Sequence, residues 1–115
     1  MSSAVVIGAS GGIGKALEEA LVEEGAFGTV FGFARSESGG RHLDLEDEAS
    51  IAAAAARVGS PTLVVVATGL LHDGDKGPEK AMRELDPVWM ARNFAINAIG
   101  PALVAKHFLP MMPKA

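Results

Sequence analysis

The chain has no cysteine, no tyrosine and a single tryptophan. Without cysteine it has neither disulfides nor thiolate metal ligands, a usage that fits a cytoplasmic setting. Histidine is scarce too. His42, His72 and His107 stand far apart and share no metal-ligand spacing, so no metal site is expected. His72 falls with Asp73 and Asp75 in a polar stretch that reads as a solvated loop. Ten Lys and Arg face fourteen Asp and Glu, a formal charge of −4. No basic stripe exists to neutralise phosphates, which argues against nucleic acid as a partner. Long apolar runs are also missing. The longest, around Leu63 to Ala67, is far too short to span a bilayer, and the N-terminus has no signal-peptide pattern. No membrane partner is expected.

What the chain does have is glycine and aliphatic surface. Fourteen glycines among 115 residues and 49% hydrophobic content suit a buried parallel sheet with tight strand-to-helix turns. The apolar run Ala4-Val5-Val6-Ile7 predicts a strand. Gly8-Ala9-Ser10-Gly11-Gly12-Ile13-Gly14 follows it and opens a helical pattern. That helix places Ile13, Ala16, Leu17, Ala20 and Leu21 on one stripe, with Gly25 where a terminating residue belongs. Strand, glycine turn and helix N-terminus in this order form a phosphate cradle. Glycines let backbone approach a ligand closely, and the unpaired N–H groups and dipole of the helix favour an anion.

Thr29 to Ala34 reads as a second strand, followed by a loop from Arg35 to Gly40. A short third strand is expected at about Arg41 to Leu45, leading into Glu46-Asp47-Glu48 at a helix start. The alanine-rich helix has Ile51, Ala55 and Val58 as its packing face, and Gly59 with Pro61 stops it. Leu63 to Val66, apolar throughout, predicts a fourth strand buried on both faces. A polar connection from Leu70 to Glu84 leads to Asp86-Pro87, an N-cap and first-turn pair, and then to a helix from Val88 to Leu109. This alternation predicts an α/β, Rossmann-like doubly wound parallel sheet of about four strands in one domain spanning 1–115.

The glycine spacing is G-x-x-x-G-x-G, with Ser10 at the second glycine of the common dinucleotide fingerprint. This segment resembles the cofactor loop of the short-chain dehydrogenase/reductase family, with Ile7 where that family usually has Thr. The resemblance implies that Gly8, Ser10, Gly11, Gly12, Ile13 and Gly14 contact a nicotinamide dinucleotide. Arg35 follows the second strand, where an acid would grip the ribose of NAD and an arginine accommodates the 2′-phosphate of NADP. No carboxylate stands between the second strand and Glu37, and Ser36 adds a hydroxyl, so NADP is expected over NAD. Taken alone, Arg35 reads equally as a solvated loop arginine.

Asp44-Leu45 resembles the pair with which family members hold the adenine edge; Asp44 also reads as a helix-capping aspartate. Ala67-Thr68-Gly69 follows the fourth strand where the family has Asn-Asn-Ala-Gly, so the glycine matches and both asparagines are missing. Asn97-Ala98-Ile99-Gly100-Pro101 resembles the helix segment carrying the family's catalytic asparagine. Without that resemblance, Asn97 reads as a core asparagine bonded to neighbouring backbone. Pro101 has no N–H for the carbonyl of Asn97 four residues earlier, so the helix is expected to kink there. In the family, that carbonyl holds a water in the proton relay.

The resemblance implies a carbonyl/alcohol oxidoreductase. It also implies a homo-dimer or tetramer formed through the long helix, which is apolar on more than one face at Val88, Trp89, Phe94, Ile96, Leu103, Val104 and Phe108. The family's acid/base Tyr-x-x-x-Lys has no counterpart here. The expectation is therefore an N-terminal cofactor-binding half, inactive alone. The alternative is a non-catalytic dinucleotide-binding or interaction module.

Overall fold

The computed structural model describes residues 2–70 and 76–114; the cluster of His72, Asp73 and Asp75 lies outside them. Strands β1 (Ser3–Ile7), β2 (Thr29–Phe33) and β3 (Leu63–Val66) form a parallel sheet in the order β2-β1-β3. Helix α1 (Gly12–Glu24) crosses from β1 to β2, and α2 (Glu48–Val58) lies between β2 and β3. This is the α/β architecture that the strand–helix alternation predicts.

One expected strand is absent from the described sheet. Arg41 to Leu45 adds no strand; Gly39–Arg41 is a short 3-10 turn, and a lone bridge from Ala34 to His42 continues the ladder. The cause is local. Gly39 takes a left-handed φ of 61°, and Arg41 Nε donates to the Gly32 carbonyl at 3.0 Å. The segment is thereby folded back over the outer edge of β2.

Successive side chains of a strand point to opposite faces, and β1 uses both. Ala4 and Val6 pack with Leu21 of α1, joined by Leu17, Phe27, Val30 and Leu63. Val5 and Ile7 face the other way, into a larger cluster with Phe33, Leu43, Ile51, Val104 and Phe108. β3 is only half-buried, not buried on both faces as its composition implies. It stands at the edge of the described sheet, with β1 alone beside it.

The inward line of α1 runs through Gly14, Leu17 and Leu21. Ile13, Ala16 and Ala20, expected on that line, are exposed, Ile13 by 81%. The helix is rolled because Gly14, with no Cβ, rests directly against the Gly8 carbonyl. Its end is as expected, with Gly25 at φ 74° donating to the Leu21 carbonyl. Likewise Asp86 caps the next long helix by accepting from the Val88 N–H at 3.1 Å, with Pro87 in its first turn.

That helix is not continuous. It consists of α3 (Pro87–Phe94), a wide π turn over Ala95–Ile99, and α4 (Gly100–Phe108). The departure expected before Pro101 thus takes the form of a π turn, the arrangement that inserts one extra residue where the regular ladder cannot close. Trp89, Val104 and Phe108 are buried, whereas Val88, Phe94 and Ile99 are exposed. No described helix is long and apolar enough to cross a membrane.

A charged contact joins α2 to α4. Lys106 Nζ lies 2.6 Å, and His107 Nε2 2.8 Å, from Glu48 Oε2. The hydrogen bond from Lys106, and then that from His107, hold the Glu48 carboxyl below its ordinary value of 4.5. Such a carboxyl stabilises the fold above its unfolded pKa, and the contribution is lost as pH falls through the folded one. Glu48→Gln is expected to lower the thermal midpoint slightly at neutral pH, the group being exposed. Unfolding scans on both proteins should show that gap closing as pH drops below 4.5.

Candidate functional site

Ile7 is paired in register with both Phe33 and Val66, so the three strands end at one level. Gly8 and Ala9 donate to the Phe33 carbonyl at 2.8 and 3.0 Å, and Ala67 donates to the Ile7 carbonyl at 2.8 Å. These bonds lay the loops after β1, β2 and β3 side by side along the carboxyl edge of the sheet. Ligands of open α/β sheets bind at that edge.

Two of the glycines are required by the protein itself. Gly8 has φ 95°, and a Cβ there would meet Thr68 Cγ2 at 2.6 Å and the Ala67 carbonyl oxygen at 2.9 Å. A Cβ on Gly14 would overlap the carbonyl oxygen of Gly8. Gly11, Gly12 and Gly69 differ. A Cβ on Gly11 would make ordinary contact with the Gly8 carbonyl at 3.5 Å, one on Gly69 would lie 3.7 Å from Asn97 Oδ1, and one on Gly12 would meet nothing within 4 Å. Their missing side chains leave space open to a ligand. Gly11 caps α1 with no side-chain hydrogen bond, and no acid sits in the first turn, so its amides and dipole face that space uncompensated.

A cleft of about 370 Å³ opens there. Gly8, Ser10 and Gly11 border it, as do Arg35 and Ser36, and Asp44, Leu45 and Ala67-Thr68-Gly69. The Ser36 hydroxyl donates to Ser10 Oγ at 3.2 Å, closing the β2 loop onto the glycine turn. Gly12 and Ile13 border an adjoining cleft with Gly11 and the loop after β3. Gly14 lines neither; it supports the turn from behind.

Asp44 does not cap α2. Asp47 does, accepting from the Ala49 N–H at 3.1 Å, while Asp44 Oδ1 accepts from the Glu46 N–H at 2.9 Å in a local turn. Ser50 Oγ contacts both the N–H and the carbonyl of Asp44, at 2.9 and 3.0 Å, and so fixes the backbone that presents Asp44 and Leu45.

Leu43, Leu70, Arg92 and Ile96 also line the cleft and escaped the sequence reading. Arg92 and Ile96 are four apart, one turn of helix on the same side, and Asn97 is adjacent. An arginine in so apolar a helix was the signal available. Arg92 Nε lies 3.5 Å from Glu46 Oε1, in the turn that precedes α2.

Asn97 is exposed, not buried in the core. Its Oδ1 accepts from the Leu70 N–H at 2.6 Å and its Nδ2 donates to the Leu70 carbonyl at 2.8 Å. One side-chain amide thus satisfies both backbone groups of a loop residue and ties the π turn to the loop after β3.

A family model described as the NAD dependent epimerase/dehydratase family matches residues 4–84. The chain belongs to this family. Within it the chain has the short-chain dehydrogenase/reductase pattern, as the N-terminal Rossmann half. It is 34% identical over 129 residues to cis-4-hydroxycyclohexanecarboxylate dehydrogenase of Sinomonas cyclohexanicum, covering 97% of this chain and 50% of that enzyme. NADPH-bound carbonyl reductase from chicken fatty liver superposes with a TM-score of 0.74 at 26% identity, covering 96% of this chain and 48% of the reductase. A protein of Listeria innocua gives a TM-score of 0.78 at 24% identity, covering 98% and 52%. The chain spans about half the length of these relatives.

The short-chain pattern gives the Asn97–Leu70 pair a context. Where the family's two loop asparagines would stand, this chain has Val66 and Ala67, so Asn97 is a side chain tying that loop from outside it. The cradle fits a dinucleotide. Cβ atoms are missing on the open side, uncompensated helix amides face it, and Arg35, Arg92 and the hydroxyls of Ser10, Ser36 and Thr68 border it.

Proposed function

We propose that the chain is the cofactor-binding half of an NADP-dependent oxidoreductase that interconverts a carbonyl and an alcohol. The observation that supports this is a single cleft bordered by both the open N-terminus of α1 and the pair Arg35-Ser36 at the end of β2. The glycine turn and α1 would hold the pyrophosphate by backbone N–H groups and dipole. Arg35, with Ser36 and Ser10 beside it, would hold the 2′-phosphate, and Asp44 with Leu45 the adenine edge. The bound nicotinamide supplies or takes up hydride. Asn97, through its backbone carbonyl next to Pro101, would hold a water at the reacting end. The likeness to NADPH-bound carbonyl reductase supports the same cofactor.

The test is a pair of dissociation constants. NADPH is expected to bind more tightly than NADH, and Arg35→Ala to weaken NADPH about tenfold or more while barely changing NADH. Equal affinities in the unmutated protein would sink the NADP assignment. The second reading is a dinucleotide-binding or interaction module without chemistry. A reading frame that runs on past Ala115 into a serine and a Tyr-x-x-x-Lys would separate the two.

A further inference from the structure

The loop that presents Arg35 and Ser36 is closed at its neck. Ala34 donates to the Arg41 carbonyl at 3.0 Å and Leu43 donates to the Ala34 carbonyl at 3.2 Å, on either side of the Ala34–His42 bridge. Inside that neck stands one half-buried imidazole. His42 Nδ1 lies 3.2 Å from the Arg35 carbonyl oxygen and 3.1 Å from that of Glu37. Carbonyl oxygens only accept, so Nδ1 is the nitrogen that carries the proton and shares it between both.

We infer that His42 is a positioning residue for cofactor discrimination, gathering the Arg35 and Glu37 carbonyls around its Nδ1–H so that Arg35 and Ser36 are presented to a ribose 2′-phosphate. The inference rests on the NADP reading above and adds to it a residue outside the cleft lining. A trans peptide points its C=O and N–H in opposite directions. With the Arg35 carbonyl held by the ring, the Ser36 N–H faces away from it. Ser36 Oγ is held in turn by Ser10 at 3.2 Å. Both ends of the Arg35-Ser36 unit are therefore fixed before any ligand arrives, one by His42 and one by the glycine turn. A preordered loop loses less entropy when it binds. That advantage applies to the contact made by the 2′-phosphate and not to the remainder of the dinucleotide.

The chemistry of the donor gives a specific test. The asparagine amide nitrogen can occupy the place of Nδ1, whereas glutamine reaches toward the place of Nε2. NADPH and NADH affinities are measured by fluorescence titration on the unmutated protein, His42→Ala, His42→Asn and His42→Gln, with thermal unfolding alongside. His42→Ala and His42→Gln should weaken NADPH about tenfold and leave NADH within about twofold, while His42→Asn restores most of the preference. If His42→Ala does not fold, the comparison of Asn with Gln decides. An unchanged NADPH-to-NADH ratio in His42→Gln overturns the inference, as does an equal loss for both cofactors. An unmutated protein with no preference overturns the NADP reading itself, and this inference with it.

Discussion

Gly14→Ala is expected to destabilise the chain by about 3 kcal/mol and to abolish dinucleotide binding. The added methyl would occupy the position of the Gly8 carbonyl oxygen, a backbone atom that no rotamer change can move aside. Relief requires α1 to lift from the turn or Gly8 to shift. Gly8 has little freedom, because its N–H is bonded to the Phe33 carbonyl at 2.8 Å and its α-carbon faces Ala67 and Thr68. Either movement displaces the first-turn amides that the cradle offers an anion. Gly12→Ala is the control. Its Cβ would meet no protein atom within 4 Å, so stability should hold or rise slightly, alanine being the better helix former. The same methyl would project beside the cleft, so NADPH affinity should still fall. Urea unfolding and NADPH titration on the two variants read stability and binding separately. Equal stability loss in both would refute the steric account, and full NADPH affinity in Gly14→Ala would refute the cradle.

The contrast between those glycines shows where sequence reading ends. G-x-x-x-G-x-G marks a turn, but which glycine is demanded by protein packing and which by ligand space depends on atoms of the β3 loop, far along the chain. Local signals were largely legible. Gly25 and Asp86 end and begin helices where the sequence places such residues, because capping involves neighbours two to four positions away, whereas the cap of α2 is Asp47 and not Asp44. Signals resting on periodicity alone were weaker. Arg41 to Leu45 has enough apolar residues for a strand, yet the Arg41 bond to Gly32 and the left-handed Gly39 turn it aside. Ile13 fits the α1 stripe by count and is exposed because Gly14 sets how the helix rolls. Of the site, the loop residues after the strands that line the cleft were named from strand order together with the family resemblance. Arg92 and the Asn97–Leu70 pair were not, since each depends on where a distant helix comes to rest.

The 115-residue chain is expected to bind NADPH and to leave carbonyl substrates unreduced. Hydride delivery to a carbonyl carbon leaves charge on the oxygen, and a positioned acid must supply a proton there. The short-chain family uses a tyrosine whose pKa a neighbouring lysine lowers, and this chain contains no tyrosine. The hydroxyls that border the cleft, Ser10, Ser36 and Thr68, are aliphatic alcohols, far weaker acids than a phenol. Ser10 and Ser36 are already bonded to one another. Asp44 Oδ1 is engaged in accepting from the Glu46 N–H at 2.9 Å. General acid catalysis contributes roughly 10²–10⁴ in rate, so its loss should leave carbonyl-dependent NADPH oxidation at background. The assay follows NADPH oxidation by the purified chain against a panel of aldehydes and ketones, with NADPH binding confirmed on the same sample. Binding without turnover is the expected result. Turnover would mean that another group of this chain donates the proton.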